Sequence, residues 1–101
     1  MRQKIAIFKK EIVSACIVEV AAGTNCPQGG DTGHGGRTFF QMADKASTDM
    51  RMAIDGGPYV DISSFTLVFG GDLECEVFIE AMEFAIDTYR GKHQTEVVEI
   101  P

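Results

Sequence analysis

One glycine-rich segment, residues 23–36, holds the side chains of this sequence that are best suited to chemistry. Six of the chain's eleven glycines lie in it, together with Cys26, Asp31 and His34. A thiolate, a carboxylate and an imidazole can bind zinc, and a cysteine beside a histidine suits thiol catalysis. A zinc site usually needs a further ligand, and a nucleophile needs a third, orienting residue. We therefore predict no metal and no catalytic residue, and keep Cys26, Asp31 and His34 as the metal candidates.

The same segment has the composition of an anion-binding loop. Glycine-rich turns present backbone N–H groups to anions, and Arg37-Thr38 follow Gly36 much as Lys-Ser/Thr follow the last glycine of a GxxxxGK[ST] loop. Asp31 stands where that motif has its first glycine, and strand-like residues follow where the motif needs a helix. We predict a looser site for a small anionic or nucleotide-like ligand or a partner protein. Its predicted contacts are Asn25, Asp31, His34, Gly35, Gly36, Arg37 and Thr38.

Other enzyme motifs are incomplete in this sequence. The glycines do not fit the GxGxxG dinucleotide fingerprint. His34-Gly35-Gly36 is shared with part of an esterase oxyanion loop, but the sequence has no GxSxG nucleophile elbow. These mismatches disfavour enzymatic activity, and we predict no cofactor.

Composition restricts the class of protein further. Nine Lys and Arg against fifteen Asp and Glu give a net charge of −6, which disfavours nucleic acid as a partner because binding to phosphates draws on clustered cations. The three cysteines are an odd number without CxxC spacing, which is typical of reduced thiols in the cytoplasm. No apolar run approaches the roughly 20 residues of a membrane span. We expect a soluble cytoplasmic protein that makes no membrane contact.

Extended segments are predicted on both sides of the glycine-rich segment. Ile and Val are enriched over residues 5–8 and 12–22, which predicts two strands joined near Lys9-Lys10. A helix over part of the first 22 residues is the alternative. Residues 55–58, Asp-Gly-Gly-Pro, predict a turn between two later strands. The later predicted strands cover residues 37–42, 48–54, 59–69 and 93–100, and the third is either continuous or broken at Ser63-Ser64.

A single helix is predicted over residues 72–90. Asp72 follows Gly70-Gly71 and is predicted to cap the first helical amides, and Gly91 is a typical helix end. Acidic residues form one stripe, and the apolar residues opposite are predicted to pack on the sheet. That predicted inner face consists of Leu73, Val77, Ala81, Met82, Ala85 and Tyr89.

Together the elements predict one α+β domain over residues 1–101. It is a mainly antiparallel sheet of five to six strands with one amphipathic C-terminal helix packed on one face. A single helix leaves the other face bare, which favours self-association as a homodimer or small ring. The predicted function is a small binding protein whose glycine loop, residues 23–38, contacts the anionic ligand or partner protein. A metal- or thiol-dependent hydrolase and a purely structural assembly subunit are the alternatives.

Overall fold

The computed structural model describes residues 3–29, 35–91 and 97–101. Its class is α+β, with antiparallel strands followed by one helix, as the sequence predicts. The elements of these residues are β1 (Phe8–Val13), β2 (Ile17–Thr24), β3 (Arg37–Ala46), β4 (Met50–Met52), β5 (Val60–Ile62), β6 (Ser64–Gly70) and α1 (Asp72–Tyr89).

Four strands form one sheet in the order β1-β2-β3-β6, and each neighbouring pair is antiparallel. The short strands β4 and β5 form a separate two-stranded sheet. The prediction of five to six strands in one sheet is therefore wrong. In the four-stranded sheet, β6 pairs with residues 37–43 of β3, whereas β4 pairs with β5. With β2 on its other side, β3 is a central strand of this sheet.

The predicted join between the first two strands is also misplaced. Lys9 and Lys10 lie inside β1, and the turn that follows β1 covers residues 14–16, where the Ser14 N–H donates to the Cys16 carbonyl (3.0 Å). All six side chains of β1 are exposed. Charged side chains are tolerated on an edge strand and protect it from unwanted pairing, so these lysines do not interrupt it.

The turn predicted at residues 55–58 is confirmed. Asp55 and Gly56 have positive φ values of 52° and 72°, and the Gly57 N–H donates to the Ile54 carbonyl at 2.9 Å. The strand before this turn covers residues 50–52 only.

The predicted last strand lies partly outside the described residues. Residues 93–96 belong to that outside part, and residues 97–100 form no strand.

The helix packs on one face of the four-stranded sheet through aromatic contacts. The Phe78 ring lies 4.7 Å from the ring of Phe69 in β6 and 5.8 Å from the ring of Phe40 in β3, measured between centroids. Gly91, with φ of 84°, follows the end of the helix as predicted. No helix in the described ranges is both long and apolar enough to cross a membrane.

The inner face of α1 differs from the predicted one. Leu73 is 71% exposed and Val77 is 63% exposed, whereas Phe78 contacts the sheet. Apolar side chains surround most of this helix, and only a narrow acidic stripe interrupts them. Periodicity alone therefore could not fix the helix rotation, which the fit of Phe78 between Phe40 and Phe69 decides.

Few apolar side chains are buried by this arrangement. Among the described residues, Val18 (9% exposed) and Ala21 (1%) are the buried hydrophobic residues. The radius of gyration is 15.7 Å, against about 13 Å for a compact domain of 100 residues. The isolated chain is thus extended for its length and has only a small core.

Candidate functional site

The glycine loop joins β2 to β3, and its described residues Gln28, Gly29 and Gly36 lie at the start of α1. Its two ends are held side by side because Thr24 pairs with Thr38 in the β2–β3 ladder. The Gly71 N–H, directly before the helix, donates to the Gly36 carbonyl at 2.8 Å. The sheet and the helix therefore both fix the position of the described part of the loop.

The carboxylate of Asp72 anchors this loop. It accepts hydrogen bonds from the N–H of Gly36 (2.7 Å), from that of Gly29 (2.8 Å), and from that of Gln28, which lies 3.0 and 3.1 Å from the two carboxylate oxygens. Converging backbone N–H groups are the arrangement that binds anions in proteins. Here the bound anion is a side chain of the protein itself.

Asp72 does not cap the helix in the predicted way. Gly71 is the N-cap residue, and no side chain makes a cap hydrogen bond at this terminus. Asp72 is the first helical residue, where a negative charge is favoured by the helix dipole. Its oxygens accept hydrogen bonds from the loop amides instead.

The hydrogen bonds to Asp72 stabilise its charged form. Its pKa lies below the ordinary value, chiefly because of the Gly36 amide and then the Gln28 amide. The Gly29 amide and the Cys26 thiol act in the same direction, and desolvation opposes them. The anchor is therefore a carboxylate at neutral pH.

A second anchor is centred on Asn25. Its Oδ1 accepts from the Arg37 N–H (2.7 Å), and its Nδ2 donates to the Gln3 side-chain oxygen (2.8 Å). The Gln3 Nε2 in turn donates to the Gly35 carbonyl at 2.8 Å. This chain of hydrogen bonds ties residues near the N-terminus to both sides of the loop.

The guanidinium of Arg37 turns toward the loop backbone. One of its terminal nitrogens donates to the carbonyls of Gly35 (2.8 Å) and Gly36 (3.1 Å). Thr38 is 7% exposed, and its hydroxyl lies 3.2 Å from that of Thr24. These two predicted contact residues therefore make internal hydrogen bonds at the base of the loop.

The structure unites five of the seven predicted contacts. These are Asn25, Gly35, Gly36, Arg37 and Thr38. The other two, Asp31 and His34, lie outside the described residues.

Of the metal candidates, only Cys26 lies in the described part. Its thiol is 3.6 Å from the Gly71 carbonyl and 3.9 Å from that of Arg37. Within residues 3–29, 35–91 and 97–101, no group of three His, Cys, Asp or Glu side chains is placed to hold a metal ion. A cavity of about 230 Å³ lies beside this thiol. Its lining residues are Cys26, Pro27, Asp72, Leu73, Cys75 and Glu76.

A second concave surface lies between α1 and β1, and we call it the β1 groove. It has a volume of about 430 Å³ and is open to solvent. The side chains that define it are Phe8, Ala22, Phe40, Cys75, Phe78 and Ile79. All of them are apolar or weakly polar, so water is a poor occupant of this surface.

Sequence reasoning missed Asp72, Gln3 and Gln28 as parts of the loop structure. Asp72 and Gln28 are 44 residues apart, and an aspartate at a helix start normally predicts a cap. No local pattern in the sequence indicated that its carboxylate would accept hydrogen bonds from the loop.

Comparisons with protein-family models, with curated proteins and with solved structures gave no match.

Proposed function

We propose that this chain is a self-associating, non-enzymatic assembly subunit. The observation that carries the proposal is the size of its exposed surface. The chain exposes 7981 Å², which exceeds the roughly 5,600 Å² expected for a folded monomer of this mass by about 2,400 Å².

The excess surface is rich in large apolar side chains. Phe8 of β1, Val68 of β6 and Phe84 of α1 are each more than half exposed. Permanent complexes bury about 2,000 to 5,000 Å² in total and resemble a protein core cut in half. If two copies each bury this excess of exposed surface, the total buried area falls in that range. In this proposal, self-association therefore supplies the core that the single chain lacks.

The loop contacts favour a structural role over capture of a small anion. The Gln28, Gly29 and Gly36 amides, which a phosphate would use, already donate to Asp72. The Arg37 guanidinium donates to loop carbonyls. In this proposal the described part of the glycine loop, residues 23–29 and 35–38, is a fixed part of the subunit surface, and its partner is another protein surface.

We further propose a reducing compartment, the cytoplasm, as the location of the assembly. Cys16, Cys26 and Cys75 are all free thiols. Free cysteines persist where thiol reductants are present.

Sedimentation velocity tests the proposal. The wild-type chain should sediment as a species whose mass is a multiple of 11.0 kDa, because each copy loses exposed apolar surface in the assembly. The measurement is repeated over a dilution series to detect dissociation. A single 11.0 kDa species at every concentration would refute self-association.

A further inference from the structure

Two apolar surfaces lie on opposite flanks of α1. One is the β1 groove, to which α1 contributes Ile79. The other, which we call the outer flank, consists of Leu73, Val77 and Phe84, each more than half exposed. Both surfaces are candidate interfaces, because exposed apolar patches of this kind mark sites of contact with another molecule.

A single neighbouring copy cannot cover both surfaces through one small contact. Residues two positions apart in an α-helix are separated by about 200° around the axis. Val77 and Ile79 therefore point away from each other. A symmetric two-copy contact uses the same patch on both copies. Two patches on opposite flanks therefore require two different neighbours.

The shape of the β1 groove suits the insertion of several apolar side chains that lie in a line along a helix. Ala22 and Phe40 form its floor, and Phe78 and Ile79 form its wall on the helix side. Phe8, 78% exposed, stands on the β1 side. The outer flank supplies such a row, because Val77 and Phe84 are spaced by two helical turns.

The charges beside the two surfaces are complementary. Lys10 lies two residues after Phe8 on β1 and therefore on the same face of the sheet. Glu80 lies between Val77 and Phe84 on the helix, at the spacings that make side chains neighbours. When Val77 and Phe84 of one copy are inserted in the β1 groove of another, the Glu80 carboxylate comes near Lys10. Opposite charges favour this contact over one between like charges.

We infer that the copies assemble head to tail, with the outer flank of one copy inserted in the β1 groove of the next. The inference rests on the proposed self-association and names its interface. The occupant of the groove is thus a second copy of this chain. Repetition of such a contact closes into a ring when the rotation between copies permits, and otherwise extends into a filament.

Two single variants and their mixture test the inference. Phe8→Glu puts a charge into the groove, and Val77→Glu puts one into the outer flank. Each variant alone should lose the wild-type assembly in sedimentation velocity and run at 11.0 kDa. An equimolar mixture should regain a complex of two copies, because the intact flank of the first variant fits the intact groove of the second.

Matched controls separate the interface from added charge. Lys9→Glu makes β1 more negative on its opposite sheet face, and Val60→Glu makes the same exchange as the flank variant in the separate sheet. Both controls should assemble as the wild type does. All variants are checked by circular dichroism, and Leu73→Glu replaces any flank variant that fails to fold.

The outcomes distinguish the two proposals. A monomeric wild type would overturn self-association itself. A wild type that assembles, with variants that assemble equally well, would place the contact elsewhere and overturn the inference. If one variant is monomeric while the other assembles as the wild type does, the contact is symmetric through the patch of the first variant, which contradicts the head-to-tail arrangement. Variants that are both monomeric alone and remain monomeric when mixed would contradict it as well.

Discussion

Gly36→Ala should lower the free energy of unfolding by about 1–3 kcal/mol, the usual cost of forcing an extra methyl group into a filled site. A Cβ at this position would lie 2.6 Å from the Cys26 sulfur and 2.8 Å from the Asn25 Oδ1. It would also lie 3.0 Å from the Cys26 Cα. Because the last contact is with backbone, rotation of a side chain cannot relieve it. Denaturant unfolding at fixed protein concentration measures the change.

Gly70→Ala is the matched control for this prediction. Gly70 pairs with Arg37 in the β3–β6 ladder, and an added Cβ would meet the Arg37 guanidinium at an ordinary contact distance of 3.5 Å. Its effect should remain within about 0.5 kcal/mol, as for most substitutions outside packed sites. Equal stability of the two variants would show that the loop does not pack tightly around Gly36.

Asp72→Asn should release the glycine loop from α1. The substitution keeps the size of the side chain, but it removes the charge and replaces one acceptor oxygen by a donor that faces the loop amides. Hydrogen bonds to a charged acceptor are roughly twice as strong as neutral ones. Amide hydrogen exchange should show loss of protection at Gln28, Gly29 and Gly36.

The first-turn residue Glu74 provides the control, since Glu74→Gln removes a charge from the same helix end. Protection of the three loop amides should be unchanged in that variant. If Asp72→Asn also left their protection unchanged, the carboxylate would not be the anchor.

Acidification should reproduce the Asp72→Asn effect in the wild type. The folded pKa of Asp72 lies below the ordinary value, so its contribution is fully present above the unfolded value of about 3.9. The contribution is lost as the pH falls through the folded pKa. The three amides should therefore still be protected when the pH has just fallen below about 3.9. They should lose protection only when the pH reaches the lower, folded pKa of Asp72. The Asp72→Asn variant should lack this transition.

The fold class could be predicted from local patterns, but the strand connections could not. The turn at residues 55–58 and the glycines before α1 indicate where β5 and α1 begin, but residues 59–69 belong to two strands, β5 and β6, of different sheets. Lys9 and Lys10 were mistaken for a connection because an edge strand tolerates charges that a central strand excludes. Whether a strand lies at an edge is a property of the whole sheet.

The rotation of α1 was beyond sequence reasoning for a related reason. A helix that packs in a monomer has one apolar stripe, whereas α1 carries apolar residues on the inner face and also at Leu73 and Val77. The sequence pattern predicts the second set as the buried face. Under the proposed self-association, both sets are contact surfaces, and only one of them lies within the chain.

The predicted contact residues of the glycine loop make hydrogen bonds within the chain, and their contact with a ligand stays a prediction. Gly36, Arg37 and Asn25 do meet in one loop, because they are close in sequence and flank paired strands. The anion that the loop amides bind, Asp72, is distant in sequence. Glycine-rich composition indicates that amides are presented to an acceptor, but it does not indicate whether the acceptor is a ligand or a side chain.

Thermal unfolding across a dilution series tests the central claim most directly. If self-association completes the core, unfolding is coupled to dissociation, and the midpoint temperature should rise steadily over roughly a hundredfold increase in concentration. The transition should also broaden toward low concentration as free copies with small cores accumulate. A midpoint that stays constant over the same range would contradict the account, because it would show that the single chain is stable with the core it has.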